Sequence, residues 1–194
     1  MDIRPLAIKD VLLITPKRFQ DSRGFFTELY SRQAFLEAGI ATEFVQDNFS
    51  LSNEPGVLRG LHFQAPPFAQ AKLLRVLRGA IFDVVVDLRH GSPSFGRSVS
   101  ITLTGEHSSQ LYVPEGFAHG FCTLEPGTEI TYKVNAYYAP QHDRGLLWND
   151  PALDIDWPVD PAAITLSDRD RKPPRLAELP RYFEYRAAEA PALP

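Results

Sequence analysis

Val57-Leu58-Arg59-Gly60-Leu61-His62-Phe63-Gln64, then Lys72-Leu73-Leu74-Arg75-Val76-Leu77-Arg78 and Ala80-Ile81-Phe82-Asp83-Val84-Val85-Val86-Asp87, decide the fold. Each run is apolar, too short for an ordinary helix and bounded by Gly, Pro or Ser, which is the signature of a β-strand. Working outward, the same pattern predicts strands over residues 44–50, 57–64, 72–78, 80–89, 97–103, 109–113, 117–124 and 129–136. Upstream, residues 5–14 read as a strand closed by Thr15-Pro16, and the aromatic run 25–30 as a strand following the turn Asp21-Ser22-Arg23-Gly24. Residues 31–39 read as the clearest helix, with Ser31 as N-cap and Gly39 just past its end. About ten short strands with little helix between them specify an all-β chain, an antiparallel barrel or double-sheet jelly roll. Past Pro140 the chain is rich in Pro and Asp and is expected to wrap the barrel as ordered loop. A single domain over residues 1–186 and a flexible tail over 187–194 follow.

Composition narrows the function classes. The chain has 194 residues, a net charge of -4, and 15 Arg against 5 Lys. The charge gives no general attraction to nucleic acid, so a bound anion needs a local arginine cluster, and arginine suits bidentate phosphate contact. No apolar stretch reaches the length of a membrane helix. One cysteine, Cys122, rules out an intrachain disulfide framework, and with no secretory signal pattern the expected location is cytoplasmic. Glycine-rich phosphate loops are absent, so no nicotinamide or nucleoside triphosphate chemistry is expected and no cofactor is implied.

Strand parity selects the candidate residues. In 72–77, Lys72 shares a face with Leu74 and Val76 while Leu73, Arg75 and Leu77 take the other; neither face is cleanly polar, and an inward Lys72 is one of the two arrangements the pattern allows. Tyr132 falls with Ile130 and Val134, placing the phenol on the apolar side. His62 has the parity of Leu58 and Gln64, whereas Arg59 has that of Leu61 and Phe63; if both serve one site, Gly60 marks a bulge or the two reach different ends. A core histidine, a snorkelling lysine or a solvated loop charge at Asp170 is the competing reading for each residue alone. A metal site is not expected: His62 and His119 are available, but there is no His-x-His, and His90, His107 and His142 fall at turns. Cys122 reads as a small buried core residue.

Asp21-Ser22-Arg23-Gly24-Phe25-Phe26-Thr27-Glu28, Gln46-Asp47-Asn48, Leu58-Arg59-Gly60-Leu61-His62-Phe63-Gln64, Gln70-Ala71-Lys72, Pro114-Glu115-Gly116-Phe117-Ala118-His119-Gly120, Tyr137-Tyr138-Ala139-Pro140, Trp148-Asn149-Asp150-Pro151 and Ser167-Asp168-Arg169-Asp170 together resemble the dTDP-4-dehydrorhamnose 3,5-epimerase family, over roughly residues 5–176. The resemblance implies a cupin-like jelly roll acting on a dTDP-linked 4-keto-6-deoxysugar. It implies His62 as general base, Asp170 as the carboxylate that orients it, Tyr132 as the acid on the opposite face of the sugar, and Lys72 beside the ketone oxygen. Arg23, Phe26, Glu28, Gln46, Asn48, Arg59, His119, Tyr138, Asp143 and Arg169 match substrate-binding positions, with Tyr138 at the place that stacks on thymine and Phe26 on its other side. Asp143 stands where the family commonly has Glu. Arg23, Phe26 and Glu28 would reach the partner subunit's site in a homodimer. A one-carbon epimerase of a related ketosugar, a non-catalytic sugar-nucleotide binding module and a metal-dependent cupin oxygenase are the alternatives.

Overall fold

The computed structural model describes residues 1–186; the tail expected at 187–194 lies outside them. In chain order the strands are β1 (Asp2–Pro5), β2 (Leu12–Thr15), β3 (Arg18–Asp21), β4 (Gly24–Thr27), β5 (Gln46–Ser52), β6 (Leu58–Gln64), β7 (Lys72–Arg78), β8 (Ala80–Asp87), β9 (Arg89–His90), β10 (Ser98–Thr104), β11 (Gln110–Val113), β12 (Phe117–Thr123), β13 (Thr128–Val134), β14 (Asp143–Gly145) and β15 (Phe183–Glu184). One helix, α1 (Arg32–Glu37), stands between β4 and β5; Ser31 caps it and Gly39 follows at φ +82°.

Two antiparallel sheets face each other, one of six strands ordered β1-β2-β11-β7-β13-β5 and one of five ordered β10-β8-β12-β6-β14. This is a cupin-like jelly roll. Leu74, Val76, Leu111, Val113 and Ile130 from the first sheet meet Ile81, Val85, Leu103, Phe117 and Phe121 from the second in the central core. The outer faces are covered as well. Phe35 of α1 and Ile40 pack with Leu73 and Ile14, while Leu153, Trp157, Leu176, Tyr182 and Phe183 of the C-terminal wrap pack over Leu61, Phe63, Val84 and Val86. Burial on both faces is why β7, β8 and β12 read as continuous apolar runs instead of alternating ones.

Three expectations need correction. Residues 5–14 hold no single strand: β1 and β2 pair antiparallel across a turn closed by Leu6 N–H to Val11 O (2.9 Å) and Val11 N–H to Ile8 O (3.0 Å), with Lys9-Asp10 at its tip. His90 lies in β9, which pairs in parallel with β15, and not at a turn. The aromatic run after Gly24 is strand only to Thr27, pairing with β3 as an exposed two-stranded arm.

Candidate active site

The site is built on an irregularity in β6. His62 pairs with His119 of β12, but Arg59 pairs with Phe121, so three steps along β6 match two along β12. The extra residue is a β-bulge, and it restores Arg59 and His62 to one face, where both line a cavity of about 640 Å³ between the sheets. Two glycines permit it. Gly60 has φ +137°, and a Cβ there would meet the Cα of Gly120 at 2.5 Å; a Cβ on Gly120 would meet the Arg59 carbonyl oxygen at 2.7 Å.

Asp170 reaches His62 from the C-terminal wrap. Thr165 pins the wrap beside β6, its carbonyl accepting from Leu58 N–H (3.0 Å) and its N–H donating to Gly56 O (2.9 Å). A short 3₁₀ turn, Arg169–Arg171, then buries Asp170 to 3% exposure, with Oδ1 2.5 Å from His62 Nε2 and Oδ2 accepting from Ser167 Oγ at 2.8 Å. Burial pushes the Asp170 carboxyl upward, but the His62 and Ser167 contacts outweigh it and hold the group below its ordinary value. A carboxylate on Nε2 fixes the N–H there and leaves Nδ1 with the free lone pair.

Lys72 enters from the facing sheet, on the same side of β7 as Leu74, and its Nζ donates to His62 O at 3.3 Å. Desolvation pulls its ammonium down to about 8 against the upward pull of Asp83 and Asp143. Asp83 of β8 is fully buried and holds His119 through Nε2 (2.9 Å to Oδ2, 3.1 Å to Oδ1). Burial raises the Asp83 carboxyl, and burial also lowers the His119 imidazole. Lys72 and His119 thus share one buried acid.

Tyr132 of β13 lies between Asn48 of β5 and Leu74 of β7 and lines the same cavity. Its phenol makes no hydrogen bond among the described residues, and burial raises its pKa above the ordinary value. His62 therefore stands on one sheet and Tyr132 on the other. At the rim, Arg59 donates to Ser52 Oγ and Leu51 O (3.3 Å each). Arg169 Nη2 binds Asp143 Oδ1 at 2.5 Å, and Asp143 Oδ2 accepts from the Tyr138 hydroxyl at 3.0 Å.

Of the residues singled out from sequence, Arg59, His62, Lys72, His119, Tyr132, Arg169 and Asp170 line the cavity. Asp143 and Tyr138 adjoin it through Arg169, and Gln46 and Asn48, joined at 2.8 Å, share the inward face of β5 with the lining residue Ser50. Arg23, Phe26 and Glu28 are exposed on or just after the arm and are not brought to the cavity of their own chain; Arg23 pairs with Asp21 at 2.6 Å. Asp83 and Ser167 were not among the residues singled out. For Asp83 the signal was a carboxylate inside an apolar run, with the parity of Ile81 and Val85. Among the described residues no group of three or more His, Cys, Asp or Glu side chains is placed to hold a metal ion, and no helix is long and apolar enough to cross a membrane.

Fold and cavity together define a cupin-like jelly roll equipped for acid–base chemistry, with a carboxylate-backed histidine facing a lysine and a tyrosine. Residues 5–178 match the family model described as dTDP-4-dehydrorhamnose 3,5-epimerase. The chain is 50% identical to the dTDP-4-dehydrorhamnose 3,5-epimerase of Sinorhizobium fredii, over 95% of this chain and 94% of that protein. It is similar to the crystal structure of dTDP-6-deoxy-D-glucose-3,5-epimerase from Legionella pneumophila in complex with dTDP-4-keto-L-rhamnose (41% identity, TM-score 0.91, covering 96% and 99% of the two chains). It is likewise similar to dTDP-4-dehydrorhamnose 3,5-epimerase from Bacillus anthracis with TDP and PPi bound (49% identity, TM-score 0.86, covering 90% and 98%). The chain belongs to the dTDP-4-dehydrorhamnose 3,5-epimerase family, a family of isomerases.

Proposed function

We propose that this protein epimerises dTDP-4-keto-6-deoxy-D-glucose at C3 and C5 to give dTDP-4-keto-L-rhamnose. A proton on carbon next to a ketone is weakly acidic, so its removal needs a positioned base and a stabilised enolate oxygen. His62 takes the proton on Nδ1, Asp170 stabilises the imidazolium that forms, and the electron pair of the broken C–H bond moves onto the C4 oxygen beside Lys72. Tyr132 then donates its phenolic proton to the same carbon from the opposite side, which inverts it, and the ketone re-forms. Both C3 and C5 flank the C4 ketone, so one set of groups serves twice once His62 has released its proton to solvent, the Tyr132 phenolate has taken one back and the ring is re-presented.

The observation that carries this reading is the opposition of His62 and Tyr132 on facing sheets across one cavity. Inversion requires a base and an acid on opposite faces of the carbon, and this arrangement supports that reading. Arg59 and, from a partner subunit's arm, Arg23 hold the diphosphate by bidentate contacts; Gln46, Asn48, His119 and Arg169 hold the rest of the nucleotide sugar, and Tyr138 stacks on thymine with the partner's Phe26 opposite. Glu28 and the arm reach across in a homodimer, a reading supported by the exposure of Phe19, Phe25 and Phe26. Asp143, although shorter than Glu, acts by orienting Tyr138 and Arg169, both of which it already touches. Incubation of the purified protein with dTDP-4-keto-6-deoxy-D-glucose and NMR of the product tests the activity: inversion at both carbons is expected, and unchanged substrate would overturn it.

A further inference from the structure

Gln64, two residues beyond His62 on β6, is 2% exposed, and its amide is fully committed. Nε2 donates to Phe68 O at 2.7 Å and to Tyr137 O at 3.2 Å, and Oε1 accepts from Ala139 N–H at 2.7 Å. The orientation is chemically fixed, because a flipped amide would set an oxygen against two carbonyls. Two of these bonds bracket Tyr138 in the backbone, one on the residue before it and one on the residue after. Tyr138 is 57% exposed, so apart from its hydroxyl contact with Asp143 the placement of its ring depends on how that backbone is held. Asp143 is also the cross-strand partner of Gln64 in the β6–β14 pairing. The same segment is tied at its other end, where Gln70 Nε2 donates to Ala136 O (2.7 Å) and Ala71 N–H donates to Asn135 Oδ1 (2.7 Å).

We infer that Gln64 is a positioning residue for the nucleobase end of the substrate, acting through Tyr138 and coupling that end to the strand that carries His62. The inference rests on the reading of Tyr138 as the thymine-stacking residue. An exposed loop aromatic held only by its own hydroxyl would sample many orientations, and each one lost on binding would cost affinity; an amide that clamps both neighbouring peptide units removes that freedom beforehand. The contact is made equally in ground and transition states, so its loss appears in KM and leaves kcat largely unchanged.

The test is a double-mutant cycle with thymidine diphosphate as the probe, its affinity measured by calorimetry and the thermal midpoint recorded for each variant. Gln64→Met is expected to weaken thymidine diphosphate by about tenfold, within the range for losing a base–aromatic stack, and to raise KM by the same factor at nearly constant kcat. Tyr138→Ala should weaken it by at least as much, and adding Gln64→Met to Tyr138→Ala should cost no further affinity. Additive losses in the double variant, or a fall in kcat with KM unchanged, would overturn the inference. If Gln64→Met does not fold, Gln64→Asn, whose amide is one methylene short of all three partners, carries the same expectations and is judged by the same outcomes. Failure of the stacking reading is distinguishable: Tyr138→Ala alone would then leave affinity at the wild-type level, whereas loss with Tyr138→Ala but none with either Gln64 variant would remove only the positioning role.

Discussion

His62 Nε2 lies 2.5 Å from Asp170 Oδ1, a contact that joins β6 to a 3₁₀ turn in the C-terminal wrap. In the proposed mechanism the carboxylate fixes the tautomer and compensates the charge that His62 would gain on accepting a proton. Asp170→Asn keeps the shape but offers an amide where a carboxylate stood. It should lower kcat by about 10²- to 10⁴-fold, the upper end being the effect of the analogous change in a serine-protease triad, with KM changed little. Steady-state kinetics decide, and a kcat within threefold of wild type would contradict the assignment.

Lys72 supplies a pH signature. In the proposed role of enolate partner it must be an ammonium, and with its pKa drawn down to about 8 that form is lost as pH rises through about 8. The profile of kcat/KM should therefore fall on the alkaline side near pH 8. Asp83→Asn removes a charge that holds the lysine pKa up, so the limb should move to lower pH. Folding stability responds in the opposite sense: between about 8 and the ordinary 10.5 the unfolded chain keeps a proton the folded chain has released, so this group's contribution rises with pH. Lys72→Ala should cut turnover by about 10²- to 10³-fold, the scale of one lost oxyanion donor. Wild-type turnover in that variant, or a flat alkaline profile, would sink the role.

Tyr132→Phe removes the only proton the ring could donate and keeps its packing against Leu74 and Ile130. Exchange of substrate hydrogen with solvent deuterium should continue at least in part, while inversion slows. Comparing the two rates by NMR tests this, and equal losses would argue against an acid specific to reprotonation.

Gly60→Ala addresses the bulge. The new methyl group would meet Gly120 Cα at 2.5 Å in a conformation at φ +137°, which should cost about 2 to 4 kcal/mol of stability from overpacking and backbone strain together. Activity should fall further than stability alone explains, because Arg59 and His62 lose their shared face. Urea denaturation and kinetics together check it; an unchanged midpoint with full turnover would show that the glycine pair is dispensable.

What the sequence made legible follows from local physics. The run 72–78 maps onto β7 without adjustment, since strand period and apolar pattern suffice for the element; the side Lys72 takes, with Leu74 at the cavity, is not set by a run with no cleanly polar face and is decided by packing. The opposite parity of Arg59 and His62 leaves two arrangements open, a bulge at Gly60 or two ends of one site, and the shift in pairing decides for the bulge. Asp170 lay beyond such reasoning: in Asp168-Arg169-Asp170-Arg171 it looks like a solvated loop charge, and only the packing of a distant segment on β6 buries it. Family resemblance was what singled it out. Asp83 could have been found, because a carboxylate in the middle of an apolar strand requires a buried partner. The β1–β2 turn is hidden in the sequence because Leu6, Ile8 and Val11 continue the apolar pattern on either side of its Lys9-Asp10 tip.

The central claim is that one base and one facing acid invert two carbons beside a single ketone. Incubation with dTDP-4-keto-6-deoxy-D-glucose in heavy water, followed by NMR of the product, tests it most directly. Deuterium at both C3 and C5 of an inverted product is the predicted result; label at C3 alone, or inversion at either carbon without label, would contradict it.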